Sequence, residues 1–299
     1  MHAPLLYPDP DAYLAAPQKR VALFGMSGLG KTRAAAMLRK RGDWFHYSVD
    51  YRIGTRYMGE AIVDNVKREA MKVPFLRDLL RSDSVYIASN IAFENLAPLS
   101  TYLGKPGDPA RGGLPFAEYL RRQREHHAAE VAALLDTAVF IEKAQAIYGY
   151  AHFLCDTGGS LCEVVRPDDP ADPVLSELAR AVLLVHIRET EAHAEGLVAR
   201  FAEAPKPMCY PETFLTECWE AYLAETGAAP ERVDPDAFAV WGFRRLIAHR
   251  SPRYAAIARH WGVTVELAEI EAVASPAEFD ALIARAIARA AGSVGEMGL

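Results

Sequence analysis

The sequence predicts an α/β fold: a mainly parallel five-stranded sheet in a three-layer αβα sandwich, interrupted by a helical insertion. Three observations carry this. Short apolar runs alternate with helical stretches over most of the chain, the pattern of a parallel sheet with crossover helices. The run 181–187 (AVLLVHI) is apolar throughout, as a strand covered on both faces must be. The run 21–24 (VALF) passes straight into a glycine-rich turn and then a helical stretch.

The elements follow in order. The first seventeen residues are punctuated by proline and read as a surface arm. Residues 21–24 form the first strand, 31–40 a helix favoured by Ala34, Ala35, Ala36, Met37 and Leu38, and 44–49 a second strand rich in aromatic and β-branched residues. Helical composition returns at 58–69 and 74–81. The cluster LGKPGDPARGGLP places a loop at 104–115. A charged helix follows at 116–135, with Glu118 four residues before Arg122 for an i,i+4 pair, then a helix at 141–148. The third strand, 152–155, runs into Asp156. A proline- and aspartate-rich loop (167–173) and a short helix ending at 178–180 lead to the fourth strand, 181–187. Helices at 189–201, 214–225 and 235–248, a fifth strand at 261–267 and a terminal amphipathic helix at 276–291 complete the chain. The core therefore comprises 18–58 and 137–295, with 59–136 as the insertion.

Composition excludes several classes. With 51% hydrophobic residues among 299, a packed core is affordable and a largely disordered chain is not expected. The net charge of -6 argues against a general nucleic-acid binder. No apolar run reaches the roughly 20 residues of a membrane span. The start (MHAPLLYPDPDAYLAAPQ) lacks a basic segment and a sustained apolar stretch, which argues against a secretory signal. The four cysteines, Cys155, Cys162, Cys209 and Cys218, form no C-x-x-C pair; buried free thiols in a cytoplasmic protein are the expectation. In the run 121–127 (RRQREHH), interspersed glutamates indicate a solvated helix face rather than a nucleic-acid groove, and the adjacent His126 and His127 point to different faces.

The chemistry is concentrated at 25–32, where Gly25-Met26-Ser27-Gly28-Leu29-Gly30-Lys31-Thr32 fits G-x-x-x-x-G-K-[ST] between a strand and a helix. Glycines let successive backbone N–H groups turn toward phosphate oxygens, and the helix N-terminus adds its positive end. Ser27, Gly28, Leu29 and Gly30 with Gly25 form the cradle, Lys31 reaches the β- and γ-phosphates, and the Thr32 hydroxyl ligates Mg²⁺. Asp50, ending the second strand, and Asp156, ending the third, are both placed where ligands bind in such sheets. Asp50 suits a base or a Mg²⁺-side carboxylate, Asp156 a Mg²⁺-side carboxylate or a turn former. Arg52, Arg56 and Arg250 offer guanidinium forks for an anionic acceptor.

Taken in order, GMSGLGKT, Asp50-Tyr51-Arg52, Thr157-Gly158-Gly159, Arg250-Ser251-Pro252-Arg253-Tyr254 and Ser275-Pro276 resemble the shikimate kinase group, within the gluconate and nucleotide kinase relatives. The resemblance implies that Asp50, Gly158, Gly159 and Arg250 face the acceptor. It also implies that Arg200 and Lys206, beside Pro205 and Pro207, act as lid residues, Arg200 stacking on adenine and Lys206 clamping the transferring phosphoryl group. The second acidic residue of that group is replaced here by Tyr51-Arg52, the glycine triplet reads Gly-Gly-Ser, and 59–136 has no counterpart. The resemblance therefore carries over the fold and reaction type, not the substrate. The expected function is ATP- and Mg²⁺-dependent phosphoryl transfer to a hydroxyl of a small, anionic metabolite, with the 104–115 loop closing over it. Two alternatives stand beside it: a nucleotide-dependent regulatory or binding ATPase, and a kinase acting on RNA or a nucleotide-linked acceptor.

Overall fold

Five apolar runs become the strands of one all-parallel sheet: β1 (Arg20–Phe24), β2 (Trp44–Ser48), β3 (His152–Asp156), β4 (Leu183–Arg188) and β5 (Gly262–Glu266), in the order β2-β3-β1-β4-β5. The helices, in chain order, are α1 (Pro10–Ala15), α2 (Lys31–Arg41), α3 (Val49–Arg52), α4 (Gly59–Ala70), α5 (Pro74–Arg81), α6 (Ala97–Leu103), α7 (Phe116–Leu135), α8 (Thr137–Ala146), α9 (Pro173–Ala181), α10 (Glu191–Glu203), α11 (Glu212–Thr226), α12 (Pro235–Trp261), α13 (Leu267–Glu271) and α14 (Pro276–Glu296). This computed structural model describes residues 4–41 and 43–296. Among them, no helix is long and apolar enough to cross a membrane.

The chain divides into two units. The first comprises the residues up to Val49, Leu134–Glu203 and the residues from Phe243 onward, and contains the sheet. Val21, Ala22, Leu23 and Phe24 of β1 and Leu184 and Val185 of β4 are fully buried, which explains why these stretches are apolar rather than alternating. The helices α2 and α8 both pack against β2 and β3; α2 also touches α14, which packs against β5, and α8 touches α9, which packs against β4. This arrangement is compatible with three layers. The β1–β3 register sets Leu23 opposite Asp156, and the β1–β4 register sets Phe24 opposite His186. The connection leaving β1 runs toward β2 and the one leaving β4 toward β5, on opposite sides, so the topological switch lies at the C-terminal end of this strand pair. All four cysteines are buried thiols.

Three expectations are corrected here. The proline-punctuated start is not an arm: its first three residues lie outside the described residues, but Asp9 caps α1 by accepting the Ala12 N–H at 2.8 Å, with Pro10 in the first turn. Tyr13 is fully buried and donates to Asp280 of α14, which also pairs with Lys19. Second, α12 does not stop near 248 but runs through Pro252 to Trp261. Proline removes one helical donor, yet the Ser251 hydroxyl bonds to the Ile247 carbonyl, and Arg253 anchors the helix to the carbonyls of Cys162 and Val165. Tertiary contacts outweigh the local break.

The third correction concerns the insertion. The second unit comprises Asp50–Ala133 and also Ala204–Gly242, a piece contributed from between β4 and β5. Its core includes Ile62, Leu99, Tyr102, Tyr119, Leu215, Trp219 and Phe238. The 104–115 loop, expected to close over substrate, is tied down within this unit: the Asp108 N–H donates to the Val233 carbonyl at 2.8 Å, Lys105 pairs with Asp236, and Arg111 pairs with Asp234 at 2.6 Å. The basic run on α7 is partly interior. Arg122 is buried over the Tyr102 ring and bonds Glu118 as the i,i+4 spacing predicted, while Arg121 pairs with Glu118 and Glu125, and Arg124 with Glu212.

Candidate functional site

The site in the first unit begins where β1 ends. Residues 25–30 turn through Gly25 (φ 137°), Gly28 (φ 87°) and Gly30 (φ 78°) into α2, whose first residue is Lys31. At Gly25 the glycine is required twice. Its φ is one that side chains rarely adopt, and a Cβ there would lie 2.8 Å from the Ile187 carbonyl oxygen. Ser27 and Gly28 are exposed, while Leu29 is buried and packs beneath the turn. Lys31 is 5% exposed, and its ammonium donates to the carbonyls of Gly25 and Met26 at 2.9 Å each, folded back over the turn.

The Thr32 hydroxyl donates to Asp156 Oδ2 at 2.9 Å, and Asp156 Oδ1 accepts the Gly158 N–H at 3.1 Å. Strand order explains the choice of carboxylate: Asp156 ends β3, the immediate neighbour of β1, whereas Asp50 lies just beyond the edge strand β2, on α3. The β3 end is fastened to β1 by Thr157, whose N–H and hydroxyl both donate to the Leu23 carbonyl.

Arg250 is corrected from its expected role. It faces no open surface; it is 1% exposed, with Nε donating to Glu163 Oε1 and Nη1 to the Gly159 carbonyl, both at 2.6 Å. Burial works against its charge, but Tyr254 and Glu163 beside it hold its pKa above the ordinary value. Tyr254 donates to the same Gly159 carbonyl, and His249 lies 3.3 Å from the second Glu163 oxygen. This buried group positions the 158–163 turn, and the turn in turn meets the glycine loop. A Cβ on Gly159 would lie 3.1 Å from the Ser27 nitrogen and 3.2 Å from its Cβ. Gly159→Ala is therefore expected to displace Ser27, costing about 1–2 kcal/mol of stability and about tenfold in affinity for a fluorescent ATP analogue. Unchanged melting and unchanged binding would show that the contact is slack.

Under the glycine loop, His186 stacks on Phe24 and on Tyr254, which also touch each other, and is 4% exposed. Burial, helped by Arg188 and Lys31, pushes its pKa down from 6.5 to about 4. The folded state thus keeps His186 neutral where the unfolded chain takes a proton. Its contribution is intact above pH 6.5 and is lost as the pH falls toward 4, a loss of order 3 kcal/mol. Urea midpoints between pH 7 and 4 are expected to fall less steeply in His186→Phe, which keeps the stack and removes the proton; parallel curves would contradict the assignment.

The remaining expected residues are distributed. Arg200 is exposed on α10 of the first unit. Asp50, Arg52, Arg56 and Lys206 belong to the second unit, Arg56 and Lys206 exposed and Arg52 lying over the Tyr57 ring. Glu163 and His186 were missed as site residues, since no motif marks an isolated Glu or His as buried; Tyr254 was named only as part of the 250–254 motif. Beside the glycine loop, a cavity of roughly 420 Å³ is lined by Gly30, Arg33, Met37 and Lys40 of the loop and α2, and by Ile270 and Val273 at α13. Comparison with family models, with curated proteins and with solved structures returned no match for this chain.

Proposed function

We propose that the chain is a P-loop phosphotransferase that uses ATP and Mg²⁺ to phosphorylate a hydroxyl of a small, anionic metabolite. The observation that carries the reading is the 2.9 Å bond joining Thr32, directly after Lys31 at the end of the glycine loop, to Asp156 at the end of the neighbouring strand. A hydroxyl and a carboxylate held together at the mouth of a left-handed glycine turn form an oxygen-donor pair suited to a hard cation and its waters. When bound, ATP would supply the phosphoryl group and Mg²⁺ the charge that offsets it. The chain's own parts have separable tasks. Residues 25–30 would cradle the phosphates, Lys31 would pair with phosphate oxygens in place of its two carbonyls, Thr32 and Asp156 would hold the cation, and the cavity beside α2 would accept the base. The sequence and its resemblance, rather than any placement, offer Asp50 as the base for the hydroxyl proton, Arg52 and Arg56 as cations for the acceptor's negative charge, and Arg200 and Lys206 as lid residues.

The test is a coupled assay of ADP release across hydroxylated carboxylates and phosphates, in the wild-type chain and Lys31→Ala. Acceptor-stimulated turnover that disappears in the variant supports the kinase. Slow hydrolysis that no acceptor stimulates favours a regulatory ATPase, and absence of nucleotide binding overturns both.

A further inference from the structure

In the second unit, three side chains of metal-ligating type converge. His126, Glu130 and Cys209 each offer a ligand atom within 4.8 Å of the others, and all three residues are buried. His126 and Glu130 stand one turn apart on α7, on a single face. Cys209 comes from the segment between α10 and α11, and α7 holds that segment from the same face. Gln123 donates to the Met208 carbonyl at 3.1 Å and accepts the Tyr210 N–H at 2.9 Å, and the Tyr119 hydroxyl donates to the Met208 carbonyl at 3.2 Å. Positions 119, 123, 126 and 130 form one stripe, so the elements that carry the ligands are fixed by hydrogen bonds on either side of Cys209.

We propose that His126, Glu130 and Cys209 form a transition-metal site that takes Zn²⁺. The geometry is close to what the ion needs. Ligand bonds of about 2.0–2.3 Å in a tetrahedron set donor atoms roughly 3.3–3.7 Å apart. His126 Nδ1 and Glu130 Oε2 are 3.8 Å apart, too long for a hydrogen bond but within a small rotamer adjustment of joint ligation. The donor set selects the metal: thiolate and imidazole favour Zn²⁺ over Mg²⁺ or Ca²⁺, which prefer all-oxygen shells. Binding converts the Cys209 thiol to a thiolate and releases its proton to solvent, so the divalent charge offsets one thiolate and one carboxylate. Three protein ligands leave a fourth position for water. The ion would clamp α7 to the segment that carries Lys206.

The test uses the full chain, without a histidine tag, and Zn²⁺ or Co²⁺ alone as the probe. Expected are one Zn²⁺ per chain by elemental analysis, and on Co²⁺ exchange a thiolate-to-cobalt charge-transfer band with the visible bands of a four-coordinate ion. Cys209→Ser should lose the charge-transfer band while Cys218→Ser keeps it, and Glu130→Gln should weaken Zn²⁺ affinity by at least about 100-fold. Chelation should lower the wild-type melting temperature by several degrees, reversed by adding Zn²⁺ back. A metal-free chain that takes up neither ion stoichiometrically overturns the proposal, as does a band that survives in Cys209→Ser. If the variants do not fold, wild-type stoichiometry, the cobalt spectrum and the chelator shift decide. None of these readouts depends on phosphoryl transfer.

Discussion

Lys31→Ala is expected to lower acceptor-stimulated phosphoryl transfer by about 10²–10³-fold or more, the loss that follows removal of one preorganised charge from a developing phosphoryl transition state. Its ammonium is already largely desolvated, 5% exposed, and donates to the Gly25 and Met26 carbonyls. Moving from those carbonyls to phosphate oxygens therefore costs little dehydration at the moment of binding. The fold should tolerate the change. The two carbonyls lie in a turn whose shape is set by Gly25, Gly28 and Gly30, so the melting temperature should move little while the rate collapses. Equal rates for variant and wild type would sink the proposed function, and a large fall in melting temperature would reassign Lys31 to scaffolding.

Arg250→Ala is expected to be the most destabilising single change considered, by about 3–5 kcal/mol, because it strands the Glu163 carboxylate, whose side chain has no exposed surface. It also releases the Gly159 carbonyl, and with it the turn that abuts Ser27. Arg250→Lys should rescue poorly: one ammonium cannot satisfy Glu163 and Gly159 in the directions that Nε and Nη1 serve. The double change Arg250→Met with Glu163→Leu should cost less than Arg250→Ala alone, since it leaves no buried charge behind. Urea midpoints measure all three. An exposed acceptor-binding arginine would give the opposite signature, a raised KM with stability changed by less than about 0.5 kcal/mol.

These two residues separate what is local in the sequence from what is not. The role proposed for Lys31 rests on neighbours within eight residues, so strand, turn and helix could be recognised together. The strands themselves were legible for the same reason: β5, expected at 261–267, spans Gly262–Glu266, and β3, expected at 152–155, spans His152–Asp156. Arg250 carries a motif-like setting too, but its partner Glu163 lies far away in the chain, and nothing local distinguishes a buried fork from an exposed one. The helix α12 shows the same limit, since Pro252 is a breaker by local rules and is overruled by Arg250 and Arg253 gripping the 159–165 segment.

What the sequence determined by itself was therefore contiguous: an α/β chain with an apolar parallel sheet, a glycine turn after its first strand, and Lys31 and Thr32 at the start of the following helix. What tertiary structure decided was pairing over distance. Strand order placed β3 beside β1, and so joined Asp156 rather than Asp50 to Thr32. Packing recruited 204–242 into the second unit and brought Cys209 to His126 and Glu130. The physical reason is that backbone hydrogen bonding and side-chain periodicity act over a few residues and leave a readable local pattern. Which strand or segment lies beside which depends instead on burying apolar faces contributed by the whole chain.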